Sequence, residues 1–247
     1  DDAARNNAAR DDAARDLLAP YGFADWRAAQ RCLRGMAASD PLKQALTDLL
    51  PHLLATLASA ASPDRALVSL ERLARNAPDR LALFYYLASN PRVVEILITL
   101  FSGSQFLTDI LLRQPEYLPR LAEVKQLAHI KSVEQFDVEA AATVTPPDKA
   151  TRQFNALRRY QRIELMRIGV CDLLGLFDLP TTTAQLSHLA DALVRVCLGI
   201  ASDQSADSTS GLAVLAMGKL GGQELNYSSD IDLLFVAASD ASAYVRL

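Results

Sequence analysis

The sequence predicts a mainly α-helical chain, a helical bundle followed by the first strands of an α/β domain. Three observations carry that prediction. Half of the 247 residues are hydrophobic and only 6% are aromatic, and an apolar content rich in Ala and Leu favours packed helices over a β-sandwich. Apolar residues recur at helical spacing from Leu17 to about Glu123 and again from about Lys149 to Ser202, with a less periodic connecting segment at Lys125–Lys149 between them. The only convincing strand patterns, Leu212–Met217 and Ile231–Ala237, follow the polar connector Asp203–Gly211. Helices first and strands last argue for an all-α domain joined to the start of an α/β domain. Two strands cannot cover their own faces, so the last domain is expected to be incomplete at the C-terminus. The expected divisions are a low-complexity or frayed start at 1–16, a helical domain at 17–203 and the strand-bearing domain at 211–247.

The helical part divides at Pro, Gly and Asn. Ser62-Pro63-Asp64 reads as a helix start, with Ser62 as N-cap, Pro63 at the first helical position and an acid in the first turn. Leu67, Leu70, Leu73 and Ala74 then form a stripe that Asn76-Ala77-Pro78 ends. Arg80–Ser89, Arg92–Phe101 and Gln105–Arg113 are almost wholly apolar and are expected to be buried on most faces. Thr145-Pro146-Pro147-Asp148 starts the longest helix, from about Lys149 to Phe177. Arg152, Arg158, Arg159 and Arg162 share one arc of it, a solvated face, and Phe154, Leu157, Leu165 and Ile168 share another. Glu164 and Arg167 fall inside the apolar arc three residues apart, where an ion pair is the expected role. Asp172 is expected to pack against the strand-bearing domain, and Trp26 to lie in the core. A further helix spans about Thr183–Ser202 with a stripe of Leu186, Leu189, Leu193, Val196 and Ile200.

Several classes of function are disfavoured. A formal net charge of −4 and a sequence pI near 5.4 argue against a nucleic-acid or anionic-membrane binder. No apolar run is expected to span a bilayer, which takes about 18–20 residues. The first fifteen residues, DDAARNNAARDDAAR, lack the basic start and apolar stretch of a secretory signal. Cys32, Cys171 and Cys197 lie far apart, as neither a disulfide framework nor a zinc site requires, and His52, His129 and His188 share no ligand spacing. A cytoplasmic location is the expectation.

The chemistry concentrates in Met217-Gly218-Lys219-Leu220-Gly221-Gly222-Gln223-Glu224-Leu225-Asn226-Tyr227-Ser228-Ser229-Asp230-Ile231-Asp232. Residues two apart on a strand share a face, so Asp230 and Asp232 are expected to project together. Adjacent carboxylates repel, and a hard divalent cation such as Mg²⁺ removes that conflict. Gly218, Gly221 and Gly222 would let backbone N–H groups approach phosphate oxygens. Ser228 and Ser229 add hydroxyls and Lys219 a point charge. A phosphate cradle beside metal-binding carboxylates points to phosphoryl or nucleotidyl transfer. The string contains neither a Walker A frame nor a dinucleotide-binding fingerprint.

That order of strand, glycine, loop and Ser-Asp-Ile-Asp resembles the nucleotidyltransferase superfamily that includes DNA polymerase β. Gly218 takes its first glycine and Asp230-Ile231-Asp232 its metal pair, while Lys219 stands where the superfamily usually has Ser or Gly. The longer string AMGKLGGQELNYSSDIDL is similar, more narrowly, to the family of bifunctional glutamine synthetase adenylyltransferase/adenylyl-removing enzymes. Upstream, LRRYQRIELMRIGVCDLLGLFDL, LSHLADALV and FSGSQFLTDILLRQPEYL resemble further segments of it, so the likeness covers roughly residues 95–237.

The resemblance implies two opposing activities in such enzymes. One adds AMP from ATP to a tyrosine of glutamine synthetase, and the other removes it by phosphorolysis, releasing ADP and regulating nitrogen assimilation. The wording ELNYSSDIDL looks more like the adenylyl-removing copy; the adding copy is the alternative. The implied roles are Mg²⁺ on Asp230 and Asp232 as the catalytic pair, with Gly218, Lys219, Gly221, Gly222, Ser228 and Ser229 around nucleotide and phosphate. The superfamily also needs a third carboxylate from a later strand, and Asp240 sits in a polar turn, so this chain alone is expected to be inactive. Implied partners are glutamine synthetase and a PII-type nitrogen regulator. A different class of function, a non-catalytic helical module docking either protein, is also compatible with the apolar helices.

Overall fold

Residues 12–144, 149–204 and 211–238 are described by the structure, a computed structural model. The frayed start at 1–11, the Pro-Pro connection at 145–148, the connector at 205–210 and everything after 238 lie outside the described residues. Contacts divide the chain into Asp1–Val124 and Lys125–Leu247. The division therefore falls within the expected 17–203 domain, not at Asp203–Gly211, because the last helices pack with the strands.

In the first unit, residues 12–18 are helical. Six longer helices follow: α1 (Trp26–Met36), α2 (Asp40–Ala58), α3 (Pro63–Asn76), α4 (Arg80–Ser89), α5 (Pro91–Gly103) and α6 (Gln105–Arg113). Their starts are set by side chains that accept the orphan N–H groups of a first turn. Asp25 accepts from Ala28 N, Asp79 from Ala82 N and Ser104 from Leu107 N. Ser62 occupies the N-cap of α3 without a cap hydrogen bond. The first-turn Asp64 instead accepts from the backbone of Ala24 and Asp25, at 2.9 and 3.1 Å. Between α4 and α5 the axis turns by 108° at Asn90. There Pro91 has no N–H to continue a helix, and Asn90 Nδ2 donates to Tyr86 O at 2.7 Å.

Helix α3 packs on α1 and α5, and α2 packs on α4. Leu49, Leu53 and Leu57 of α2, Leu67, Leu70 and Leu73 of α3, and Phe101 of α5 are buried as their stripes require. Two expectations need correction. Helix α4 buries only Phe84 and Leu87 and leaves Tyr85 half exposed, with α2 as its main neighbour. Trp26 is not core: it begins α1 half-buried, with the Arg27 guanidinium 4.6 Å above its ring.

The second unit holds α7 (Val133–Ala142), α8 (Ala150–Leu173), α9 (Leu179–Gln204), β1 (Leu212–Met217), the single turn α10 (Gly218–Gly221) and β2 (Asp232–Ala237). Helix α9 packs on both α7 and α8. The long helix stops at Leu173, four residues before the expected end. Gly175 adopts φ +67° and Leu176 N reaches back to Cys171 O at 2.8 Å, a left-handed C-terminal closure. Asp178 then caps α9 through Thr181 N at 2.9 Å, so Leu179-Pro180 opens a helix as well as separating two. Contrary to the sequence expectation, Leu179–Ser202 has the length and apolar content of a membrane-spanning helix. Its stripe packs on α7 and α8, and Arg195 pairs with Asp137 of α7 at 2.7 Å.

β1 and β2 are antiparallel, with Leu212 opposite Ala237 and Met217 opposite Asp232. Alternation divides the ribbon into two faces. Ala216 and Leu233 pack with Leu186, Leu189, Leu220 and Leu225 in one core. Leu215, Met217, Leu234 and Val236 stand on the other face, each nearly half exposed.

Candidate active site: a glycine turn and two carboxylates

β1 ends at Met217 and the chain turns at once into α10, with Gly218 at φ +54°, a conformation in which L side chains are strained. A Cβ at Gly218 would also lie 3.1 Å from Asp232 Oδ2, a tight approach that the exposed carboxylate would have to relieve by a small shift. The carboxylate of the first residue of β2 therefore stands beside the glycine turn. Gly221 has a separate reason to be glycine: a Cβ would lie 2.5 Å from Ala216 O, so this residue lets α10 fold back on β1. At Gly222 a Cβ would make ordinary contacts. Gly222 N bonds Gly218 O at 3.1 Å, and Glu224 N bonds Lys219 O at 2.8 Å.

The expectation that strand alternation places Asp230 and Asp232 together requires correction. β2 begins at Asp232, so Asp230 belongs to the preceding loop and the pleat does not orient it. Both residues are exposed. Asp232 sits opposite Met217 on the outer face, and Asp230 lines a cavity of about 710 Å³. The cavity's walls are mainly apolar side chains of α8, α9 and the strands, and its polar lining is Gln161, Asn226, Tyr227, Ser229 and Asp230. Ser229 is half-buried, whereas Lys219 and Ser228 are exposed.

Both of the long helices reach this loop. Leu225 is buried, and its N–H donates to Ser187 Oγ of α9 at 3.3 Å. Ser187 is itself fully buried and donates to Thr183 O at 2.8 Å. Tyr227 OH donates to Asp172 Oδ2 of α8 at 2.9 Å. Burial first, and then this bond to a carboxylate, push the Tyr227 phenol well above its ordinary range. Asp172 therefore meets the strand-bearing segment as expected. Ser187 and Tyr227 were not singled out from the sequence, although a hydroxyl next to the apolar stripe of α9 was a legible signal.

Helix α8 also carries a buried polar cluster. Glu164 pairs with Arg167 Nε and with Lys131 Nζ, each at 2.8 Å, which fulfils the expected ion pair. Arg167 also donates to His129 O at 2.7 Å and to Gln185 Oε1 at 3.0 Å. Gln185 in turn donates to Lys131 O at 2.7 Å. The exposed arc of Arg152, Arg158, Arg159 and Arg162 lies on the other side of the helix.

Asp230 and Asp232 are hard oxygen donors of the kind Mg²⁺ takes, and their exposure leaves room for the waters that ion retains. The donor set fits a cation in type. Among the described residues no group of three or more His, Cys, Asp or Glu gathers as a metal site.

A family model described as Glutamate-ammonia ligase adenylyltransferase matches residues 94–244, from α5 through both strands. Among curated relatives, a bifunctional glutamine synthetase adenylyltransferase/adenylyl-removing enzyme of Streptomyces avermitilis is 35% identical over 225 residues. Proteins of the same description from Nocardia farcinica and Corynebacterium diphtheriae are 31% and 30% identical. Each alignment covers 89% of this chain but only 21–23% of the relative; the chain spans about a fifth of the length of the curated relatives it matches. With the match running through the glycine turn and both aspartates, the chain belongs to the glutamate-ammonia ligase adenylyltransferase family.

Proposed function

We propose that the chain contributes the glycine turn and metal-binding aspartates of a nucleotidyltransferase acting on glutamine synthetase. The observation that carries the reading is the placement of the Asp232 carboxylate beside the glycine turn, where its Oδ2 would lie 3.1 Å from a Cβ at Gly218. Family membership and the names of the relatives support the substrate class.

The specific reaction proposed is removal of AMP from an adenylylated tyrosine. An oxygen of inorganic phosphate attacks the phosphorus of the diester, the bond from phosphorus to the tyrosine oxygen breaks, and that oxygen takes up a proton. The products are ADP and the unmodified tyrosine side chain of the substrate protein. Asp230 and Asp232 would hold Mg²⁺, which supplies charge neutralisation at the transferring phosphorus when bound. Ser229 and the Gly218–Gly222 backbone would orient phosphate oxygens, with Lys219 adding positive charge from the exposed side. A PII-type regulator as further partner and a cytoplasmic setting belong to the same proposal. ATP-dependent addition of AMP is the second reading, favoured by the family description itself.

The test substitutes Asp230→Asn and Asp232→Asn in a protein of the relatives' full length carrying this chain. Each is expected to lower phosphate-dependent release of ADP by on the order of 100-fold or more, with ATP-dependent adenylylation retained. Loss of adenylylation alone would assign the adding activity instead. Retention of both activities would remove the catalytic reading. The 247-residue chain by itself is expected to show no turnover.

A further inference from the structure

The pleat of β2 does not hold Asp230, so something else must. The loop from Gln223 to Ile231 has two side-chain anchors among the described residues: Leu225, tied to Ser187, and Tyr227, tied to Asp172. Tyr227 is the nearer to the carboxylates, three residues before Asp230, and it packs against the core of the second unit. One local backbone bond, Ser229 N to Asn226 O at 3.3 Å, closes the turn that follows.

Asp172 itself asks for an explanation. It is the second-last residue of α8, where the negative end of the helix dipole disfavours a carboxylate. Its oxygen accepts the Tyr227 hydroxyl at 2.9 Å, and a hydrogen bond to a charged acceptor is both stronger and more directional than a neutral one. We propose that Asp172 is a positioning residue, whose bond from Tyr227 fixes the loop that brings Asp230 to the same cation as Asp232. The inference rests on the proposed reading of the two aspartates as metal ligands.

The experiment uses Mn²⁺ as the probe, with free ion followed by electron paramagnetic resonance, in a protein of the relatives' full length. Tyr227→Phe keeps the packed ring and removes the hydroxyl, and Asp172→Ala removes the acceptor. Asp172→Asn keeps an acceptor oxygen and is the rescue. Tyr227→Phe and Asp172→Ala are each expected to weaken Mn²⁺ binding about tenfold, the factor for one hydrogen bond to a charged acceptor. The double variant should be no weaker than either single one, and Asp172→Asn, which keeps a neutral acceptor, should recover about half of that loss on a logarithmic scale. Mn²⁺ binding unchanged in both Tyr227→Phe and Asp172→Ala overturns the inference, and should Asp172→Ala not fold, Tyr227→Phe alone decides. Asp230→Asn separates the two levels. If it leaves Mn²⁺ binding intact, the metal-pair reading has failed; if it abolishes binding while Tyr227→Phe does not weaken it, only the positioning role has failed.

Discussion

The side chains buried in the first unit are Ala, Leu, Ile, Val, Phe and Met, together with Tyr117 and the small hydroxyl residues Ser69, Ser102 and Thr108, of which Thr108 donates to Ser104 O. The second unit buries Glu164, Arg167, Gln153, Gln185 and Ser187, and it exposes Leu215, Met217, Leu234 and Val236 on its ribbon. Apolar contacts are non-directional and can be repacked. Buried charges are held in one arrangement, because a misplaced partner leaves a desolvated charge without compensation. The difference teaches where geometry is fixed: the unit that carries the glycine turn also carries the buried directional bonds.

The sharpest way to break this contrast is to remove one member of the charged cluster. Glu164→Ala leaves Arg167 and Lys131 buried with one partner fewer and is expected to cost ~3–5 kcal/mol. Hydrogen exchange should show the loss along α8 and 127–131, with the first unit unaffected. Leu53→Ala, fully buried in α2, is expected to cost ~2–5 kcal/mol through transfer and cavity terms, read in the first unit alone. Protection that does not fall along α8 for Glu164→Ala, or along α2 for Leu53→Ala, would refute the contrast.

A smaller effect tests the turn. Gly221→Ala must displace backbone, since its Cβ would meet Ala216 O at 2.5 Å, and is expected to destabilise by ~1–3 kcal/mol. Gly199→Ala in α9 meets nothing within 4 Å and is expected to stabilise by ~0.5–1 kcal/mol. Thermal unfolding of the pair gives opposite signs if Gly221 is a packing requirement, and the same sign if it is not.

The smallest effect is a pH dependence. Burial pushes the Cys171 thiol from 9.0 up to about 11, and its Sγ lies 3.1 Å from Leu127 O. The fold favours the neutral thiol, so its contribution is whole below about pH 9 and is lost as pH rises towards about 11. Cys171→Ala should flatten the alkaline decline of the unfolding midpoint relative to the parent.

Much of the helical chain was legible. Arg80–Ser89 and Gln105–Arg113 begin and end where the apolar runs indicate, because periodicity acts within a few residues. The ion pair of Glu164 with Arg167 was legible for the same reason, as i and i+3 meet on any helix. Trp26 was misplaced because residue type suggests burial without saying which neighbours arrive. In the motif, the order of glycines and aspartates was plain, but glycines with different duties looked alike: Gly218 faces Asp232 and Gly221 faces Ala216 O.

The sequence by itself determined the apolar helices of the first unit, both strands within a residue and the family, since these depend on side-chain period and a string of neighbouring residues; the helix Val133–Ala142 lies in a stretch that reads as a connecting segment. Tertiary structure alone decided that β2 starts one residue after Ile231, that Asp230 depends on a loop, and that Ser187 and Asp172 hold that loop. Those contacts join residues 38 and 55 positions apart, and no local pattern encodes which distant hydroxyl or carboxylate will complete a buried bond.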